Sequence, residues 1–166
     1  MAKTEIATLA GGCFWGMEEL IRSQPGVTAV DVGYTGGQTA KAIYEMVKTG
    51  NTGHAESVQI HFDPTLTSFE KILLFFFKIH DPTTENRQGN DVGTQYRSAI
   101  FFHNEEQKMI AEKVKDRVDR SGAWKKPAVT QIVPFTVWHR AEEYHQDYLQ
   151  KNPGGYTCHF LRKVEF

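Results

Sequence analysis

The chain of 166 residues contains only two cysteines, Cys13 and Cys158. Two are too few for the disulfide framework of a small secreted domain. They fit a reducing compartment, where thiols stay reduced. Long apolar runs are also missing. The longest, Ile72 to Phe77, has six residues, against the ~20 needed to span a bilayer. Charge of one sign is not in excess: 19 Lys and Arg against 20 Asp and Glu leave a net −1. That excludes a basic nucleic-acid binder or an acidic tail as a reading of the whole chain. The opening Met-Ala-Lys-Thr-Glu-Ile carries one positive charge and no long apolar segment, so it does not read as a secretory signal. A cytoplasmic location without membrane association is expected. No repeat, low-complexity tract or linker divides residues 1–166, so one domain is expected.

What is present is an α+β pattern. Ile6 to Ala10 reads as a strand ending at Gly11-Gly12. Cys13 to Arg22 carries Phe14, Met17 and Ile21 at helical spacing. Val27 to Tyr34 and Ser57 to Phe62 alternate as strands. Thr67-Ser68-Phe69-Glu70 has the form of a capping box opening a helix to about Ile79. Ser98 to Phe102 reads as a strand, and Asn104 with Gln107 caps a helix ending at Ser121-Gly122. Val129 to Phe135 reads as a strand and Ala141 to Leu149 as a short helix. The order βαββαβ matches a ferredoxin-like plait with a mainly antiparallel sheet. Further α-β-α elements and a long C-terminal tail follow it.

Two connections, Thr35 to Glu56 and Asp81 to Arg97, exceed the ~12–15 residues usual for a structureless loop in a compact domain, and loops of that length are usually functional. The first holds Tyr44, His54 and Glu56; the second holds Asp91, Gln95, Tyr96 and Arg97. A carboxyl in an apolar pocket has a raised pKa and can act as a general acid, and a phenol can donate to a polar oxygen. Each of these residues could equally be a solvated loop group, and Tyr44 a loop anchor.

Cys13 follows Gly11-Gly12 at a strand-to-helix turn and is expected in the first helical turn. There the unpaired N–H groups and the helix dipole favour a thiolate. The neighbouring Phe14 and Trp15 can wall an apolar pocket. The alternative is a small buried core residue. Cys158, in a Gly-rich stretch, suits either a resolving thiol or a bystander. His54-Ala55-Glu56 matches half of the zinc deaminase signature and lacks the rest. Glu142-x-x-His145 matches one copy of a di-iron motif that needs two, so it reads as a solvated helix face. The seven histidines show no zinc-ligand spacing.

Gly11-Gly12-Cys13-Phe14-Trp15-Gly16 resembles the active-site motif of the A-type peptide methionine sulfoxide reductases. Gly53-His54-Ala55-Glu56, Asp91-Val92-Gly93-Thr94-Gln95-Tyr96-Arg97-Ser98 and Ala141-Glu142-Glu143-Tyr144-His145-Gln146 resemble the family's other hallmarks. The resemblance runs from about Ile6 to Leu161. It implies an α/β plait that reduces the S epimer of methionine sulfoxide, free or in proteins. Cys13 matches the nucleophile, Glu56 the acid, and Tyr44 and Tyr96 the phenols that bind the sulfoxide oxygen. Phe14 and Trp15 match the walls around the ε-methyl group, and Asp91 and His54 match substrate-binding positions. No metal or organic cofactor is implied. The product on Cys13 is a sulfenic acid, which a second cysteine converts to a disulfide that thioredoxin reduces. Many members carry a cysteine where this chain has Lys48, so either Cys158 or an external thiol must resolve Cys13, and the Gly-Tyr-Thr-Cys-His-Phe ending that some relatives share favours Cys158; a monomeric repair enzyme is expected. The rival readings are a thiol hydrolase using Cys13 with a histidine and a metal- or peptide-binding ferredoxin-like domain.

Overall fold

The computed structural model describes residues 4–37, 42–157 and 159–166. Its elements in chain order are β1 (Glu5–Gly11), α1 (Phe14–Ile21), β2 (Val27–Thr35), α2 (Tyr44–Val47), β3 (Ala55–Phe62) and α3 (Phe69–Ile79). Then come β4 (Arg87–Gln88), β5 (Asp91–Val92), a 3-10 turn (Thr94–Tyr96), β6 (Ser98–Phe102) and α4 (Glu105–Ser121). The chain continues with β7 (Gln131–Pro134), β8 (His139–Arg140), a second 3-10 turn (Glu143–His145) and α5 (Tyr148–Lys151).

This is an α+β fold on a mixed sheet of order β7-β6-β1-β3-β2-β8. β6 and β7 run parallel, and the other neighbours are antiparallel. The long strands β2 and β3 alternate β-branched residues with polar ones, which suits a pleated surface buried on one side. Phe14, Met17 and Ile21 from α1 join Leu73, Phe76 and Phe77 from α3 and Val114 and Val118 from α4 in the main core. Leu9, Val32, Val58 and Ile60 meet them from the sheet. A smaller cluster, with Ala10, Ala99 and Phe101 fully buried, adds a second apolar patch.

The helix starts follow local chemistry. Ser68, rather than Thr67, caps α3 by accepting from Lys71 N–H at 3.2 Å. Asn104 caps α4 by accepting from Gln107 N–H at 2.9 Å, and α4 stops at Gly122, whose φ of 72° is left-handed. The expected helix over Ala141–Leu149 is broken instead. Asp147 sits at φ 54° between the second 3-10 turn and α5, a conformation that ends regular helix. The two long connections are not bare loops. α2 lies in the first, and the β4–β5 hairpin and the first 3-10 turn lie in the second. Among the described residues, no helix is long and apolar enough to cross a membrane.

Phe76 is fully buried and packs against His80, ring centroids 4.1 Å apart, beneath the end of β1. Phe76→Ala is expected to cost about 3–5 kcal/mol of stability, measured as a lower midpoint in urea unfolding.

Candidate active site

The site starts at the turn from β1 to α1. Gly12 has φ 97°, which a residue with Cβ adopts at a cost. A Cβ there would lie 2.6 Å from the side chain of Gln88. Cys13 follows at the N-cap of α1, one position ahead of the expected first turn. Its side chain makes no capping bond and is 7% exposed. The thiol therefore stands at the positive end of a helix dipole, which favours its anionic form.

β3 brings Glu56 beside it. Glu56 is the cross-strand partner of Tyr34 and is 2% exposed. One carboxyl oxygen accepts the N–H of Phe14 at 3.3 Å. Burial raises its pKa from 4.5 to about 8, the bond from Phe14 opposes this, and the charge of Asp91 adds to it. At neutral pH Glu56 therefore holds a proton that it can give away.

Cys13, Phe14, Trp15 and Glu56 line a cavity of about 130 Å³ together with Tyr44, Asp91, Tyr96 and Tyr156. Tyr44 opens α2 and Tyr96 closes the first 3-10 turn. Burial pushes the pKa of both phenols up, and the charge of Glu56 adds to this, so both stay donors. Trp15 is fixed on two sides. Its ring stacks on Tyr148 at 3.8 Å, and its indole N–H donates to His145 Nδ1 at 3.0 Å. Asp91, on β5, accepts from the Tyr156 hydroxyl at 3.2 Å. A larger hollow of about 560 Å³ lies between the start of β1 and the starts of α3 and α4, and Cys13 does not border it.

The structure thus brings seven of the expected residues to one cavity and places His54 elsewhere. His54 is buried outside the lining, where its Nδ1 accepts from Gly37 N–H at 3.1 Å. Cys158 lies outside the described residues. The reading of Glu142-x-x-His145 as a solvated helix face is corrected, because these groups turn inward on a 3-10 turn. His145 holds Trp15. Glu142 accepts from the Tyr34 hydroxyl at 2.9 Å and from Tyr44 N–H at 2.8 Å. Burial opposes ionisation of Glu142, but the bonds from Tyr44 N–H, its own N–H and Tyr34 outweigh it and hold the carboxyl below its ordinary value. Tyr148 and Tyr156 carried no signal beyond their place near these motifs. Among the described residues, no group of three or more His, Cys, Asp or Glu is arranged to hold a metal ion.

A thiol at a helix start, a protonated carboxyl and neutral phenols around one apolar cavity define a cysteine-based enzyme site. Residues 5–165 match the family model described as peptide methionine sulfoxide reductase. The peptide methionine sulfoxide reductase MsrA of Streptomyces coelicolor is 56% identical over 161 residues, covering 97% of this chain and 91% of that one. The reduced form of Mxr1 from Saccharomyces cerevisiae superposes with a TM-score of 0.92 at 40% identity, covering 97% and 93% of the two chains. Mxr1 in complex with Trx2 gives 0.67 at 26% identity, covering 97% and 91%. The chain belongs to the peptide methionine sulfoxide reductase family.

Folding raises the pKa of Glu56, so the folded chain holds this proton more tightly than the unfolded one. The resulting stability is fully present below 4.5 and is lost as pH rises through about 8. The stability of Glu56→Gln relative to the parent is expected to increase across that window. A difference in urea unfolding that is constant with pH would contradict the burial argument.

Proposed function

We propose that this protein reduces the S epimer of methionine sulfoxide, free or in proteins, to methionine, and so repairs oxidised proteins. The observation that carries this reading is the sharing of one buried cavity by Cys13, Glu56, Tyr44 and Tyr96. The Cys13 thiolate attacks the sulfoxide sulfur while Glu56 protonates the oxygen. Tyr44 and Tyr96 donate hydrogen bonds to that oxygen, Phe14 and Trp15 hold the methyl group, and Asp91 meets the substrate beside the opening. Methionine leaves, and the oxygen stays on Cys13 as a sulfenic acid. His54 acts on the substrate indirectly, by holding the Gly37 backbone.

A thiol then condenses with the sulfenic acid, releasing water and forming a disulfide. Cys158 supplies that thiol. Support comes from the described residues on either side of it: Tyr156 bonds to Asp91, and His159 Nε2 lies 2.6 Å from Gly11 O, at the turn that carries Cys13. The complex of Mxr1 with Trx2 supports thioredoxin as the reductant of the disulfide. Both electrons come from thiols, so the cycle needs neither metal nor organic cofactor. The strand order β6-β1-β3-β2, with α1 and α3 packed on the sheet, supports a ferredoxin-like plait at the centre of one domain over residues 1–166. A cytoplasmic monomer completes the reading.

The rival thiol hydrolase needs an imidazole at Cys13, and the described lining of the cavity has none. The reduced protein, incubated without thioredoxin, is expected to release one equivalent of methionine from the S epimer of N-acetyl-methionine sulfoxide and none from the R epimer. Cys13→Ser should abolish this, and retained release would sink the assignment. The rate at saturating sulfoxide should fall as pH rises through about 8, where Glu56 loses its proton, and Glu56→Gln should lack that limb. Cys158→Ser should keep the single turnover and lose steady-state turnover with thioredoxin; undiminished steady-state turnover would point to another resolving thiol.

A further inference from the structure

We infer that Glu142 is a positioning residue for the reductase step, acting through Tyr44. The inference rests on the reading above, in which the Tyr44 phenol binds the sulfoxide oxygen.

Tyr44 needs outside support. It is the first residue of α2, a helix of four residues, and a helix so short is not stable by itself. The N-cap residue, Ile43, offers no side-chain acceptor, so the first helical N–H groups must find partners elsewhere. Glu142 provides one: its Oε2 accepts from Tyr44 N–H at 2.8 Å. A carboxylate at a helix start is favoured by the dipole as well as by the bond.

Glu142 is itself anchored to the sheet. Its Oε1 accepts from the hydroxyl of Tyr34, which is fully buried on β2. The residues around it are tied to the same strand. Ala141 N–H donates to Val32 O at 2.9 Å. The Gln146 side chain accepts from Val32 N–H at 3.0 Å and donates to Val32 O at 2.9 Å. Both carboxylate oxygens are thus committed, one to the rigid sheet and one to the backbone that carries the phenol. A glutamine can keep both contacts by accepting from Tyr44 N–H with its oxygen and donating its nitrogen to the Tyr34 hydroxyl, whereas an alanine removes both.

The test is single-turnover methionine formation from the S epimer of N-acetyl-methionine sulfoxide by the reduced full-length chain. Glu142→Gln, Glu142→Ala, Tyr44→Phe and the double variant of Glu142→Ala with Tyr44→Phe are compared. Glu142→Ala and Tyr44→Phe are each expected to slow the first-order rate at saturating sulfoxide by about tenfold, the scale of one lost hydrogen bond, while Glu142→Gln, which can keep both contacts, should restore most of the rate. The double variant should be no slower than the slower of its two single variants, because both remove the same contact. Costs that multiply would overturn the inference, as would an unchanged rate in Glu142→Ala. If Glu142→Ala does not fold, Glu142→Asp, whose shorter side chain cannot reach both donors, is combined with Tyr44→Phe and read in the same way. A parent chain that forms no methionine would instead overturn the reductase reading, and this inference with it.

Discussion

The hydrogen bond from Phe14 N–H to Glu56 joins the two groups on which the site depends, and those groups need opposite charge states. The thiol must be an anion and the carboxyl must be neutral. Burial alone does not separate them, because it penalises the charged form of both. The separation comes from position along the chain. Cys13 sits at the start of α1, where successive N–H groups point outward and favour an anion. Glu56 reaches the same helix start from β3 and meets one N–H, at 3.3 Å. That single bond does not offset its desolvation, and the carboxyl stays protonated to about pH 8. β1 and β3 are adjacent strands, so the pairing of the sheet fixes this arrangement before any loop is placed.

The phenols are held differently. They lie on segments that have little apolar surface to bury and so cannot order themselves cheaply. Cross-links between these segments supply the order. Glu142 holds the start of α2 and Gln95 donates to Lys48 O at its end, at 3.0 Å. Thr94 donates to Gly50 O at 3.2 Å, and Arg97 to Thr94 O at 2.9 Å. Tyr44 and Tyr96 are therefore braced against each other through backbone atoms. That bracing lets two phenols line one cavity from a helix of four residues and a single 3-10 turn.

Much of this was legible in the sequence, and the boundary of what was legible has a physical meaning. Periodicity placed α1, β2 and β3, because each buries one face against a common core and so repeats its apolar residues; an apolar run ending at two glycines placed β1, and capping residues placed α3 and α4. The position of Cys13 followed from two glycines and a helix start. The charge state of Glu56 could be argued only as a possibility of its loop, since desolvation depends on β3 pairing with β2. The Glu142 segment was misread. Its Glu-x-x-His spacing suits a helix with one face in water, but Asp147 breaks the helix and both side chains turn inward. β8, with two residues, was invisible to any period. Trp15 fell off the apolar stripe of α1, and its partner Tyr148 comes from another part of the chain.

Under the proposed roles, the preference for one epimer is a matter of directions. A sulfoxide sulfur carries an oxygen, a methyl group, the rest of the side chain and a lone pair. The oxygen is drawn toward Glu56, Tyr44 and Tyr96, which are all donors. The methyl group is confined by Phe14, buried in the main core, and by Trp15, clamped between Tyr148 and His145. The remaining chain must leave past Asp91. With three directions assigned, only one hand presents the sulfur to Cys13. The opposite hand would place its methyl group among the phenols or its oxygen against the aromatic walls, where no donor replaces the water it loses. Selectivity on this account resides in the rigidity of Trp15 and Tyr44, and both are held by the segment from Glu142 to Tyr148, which follows β8, the strand paired with β2.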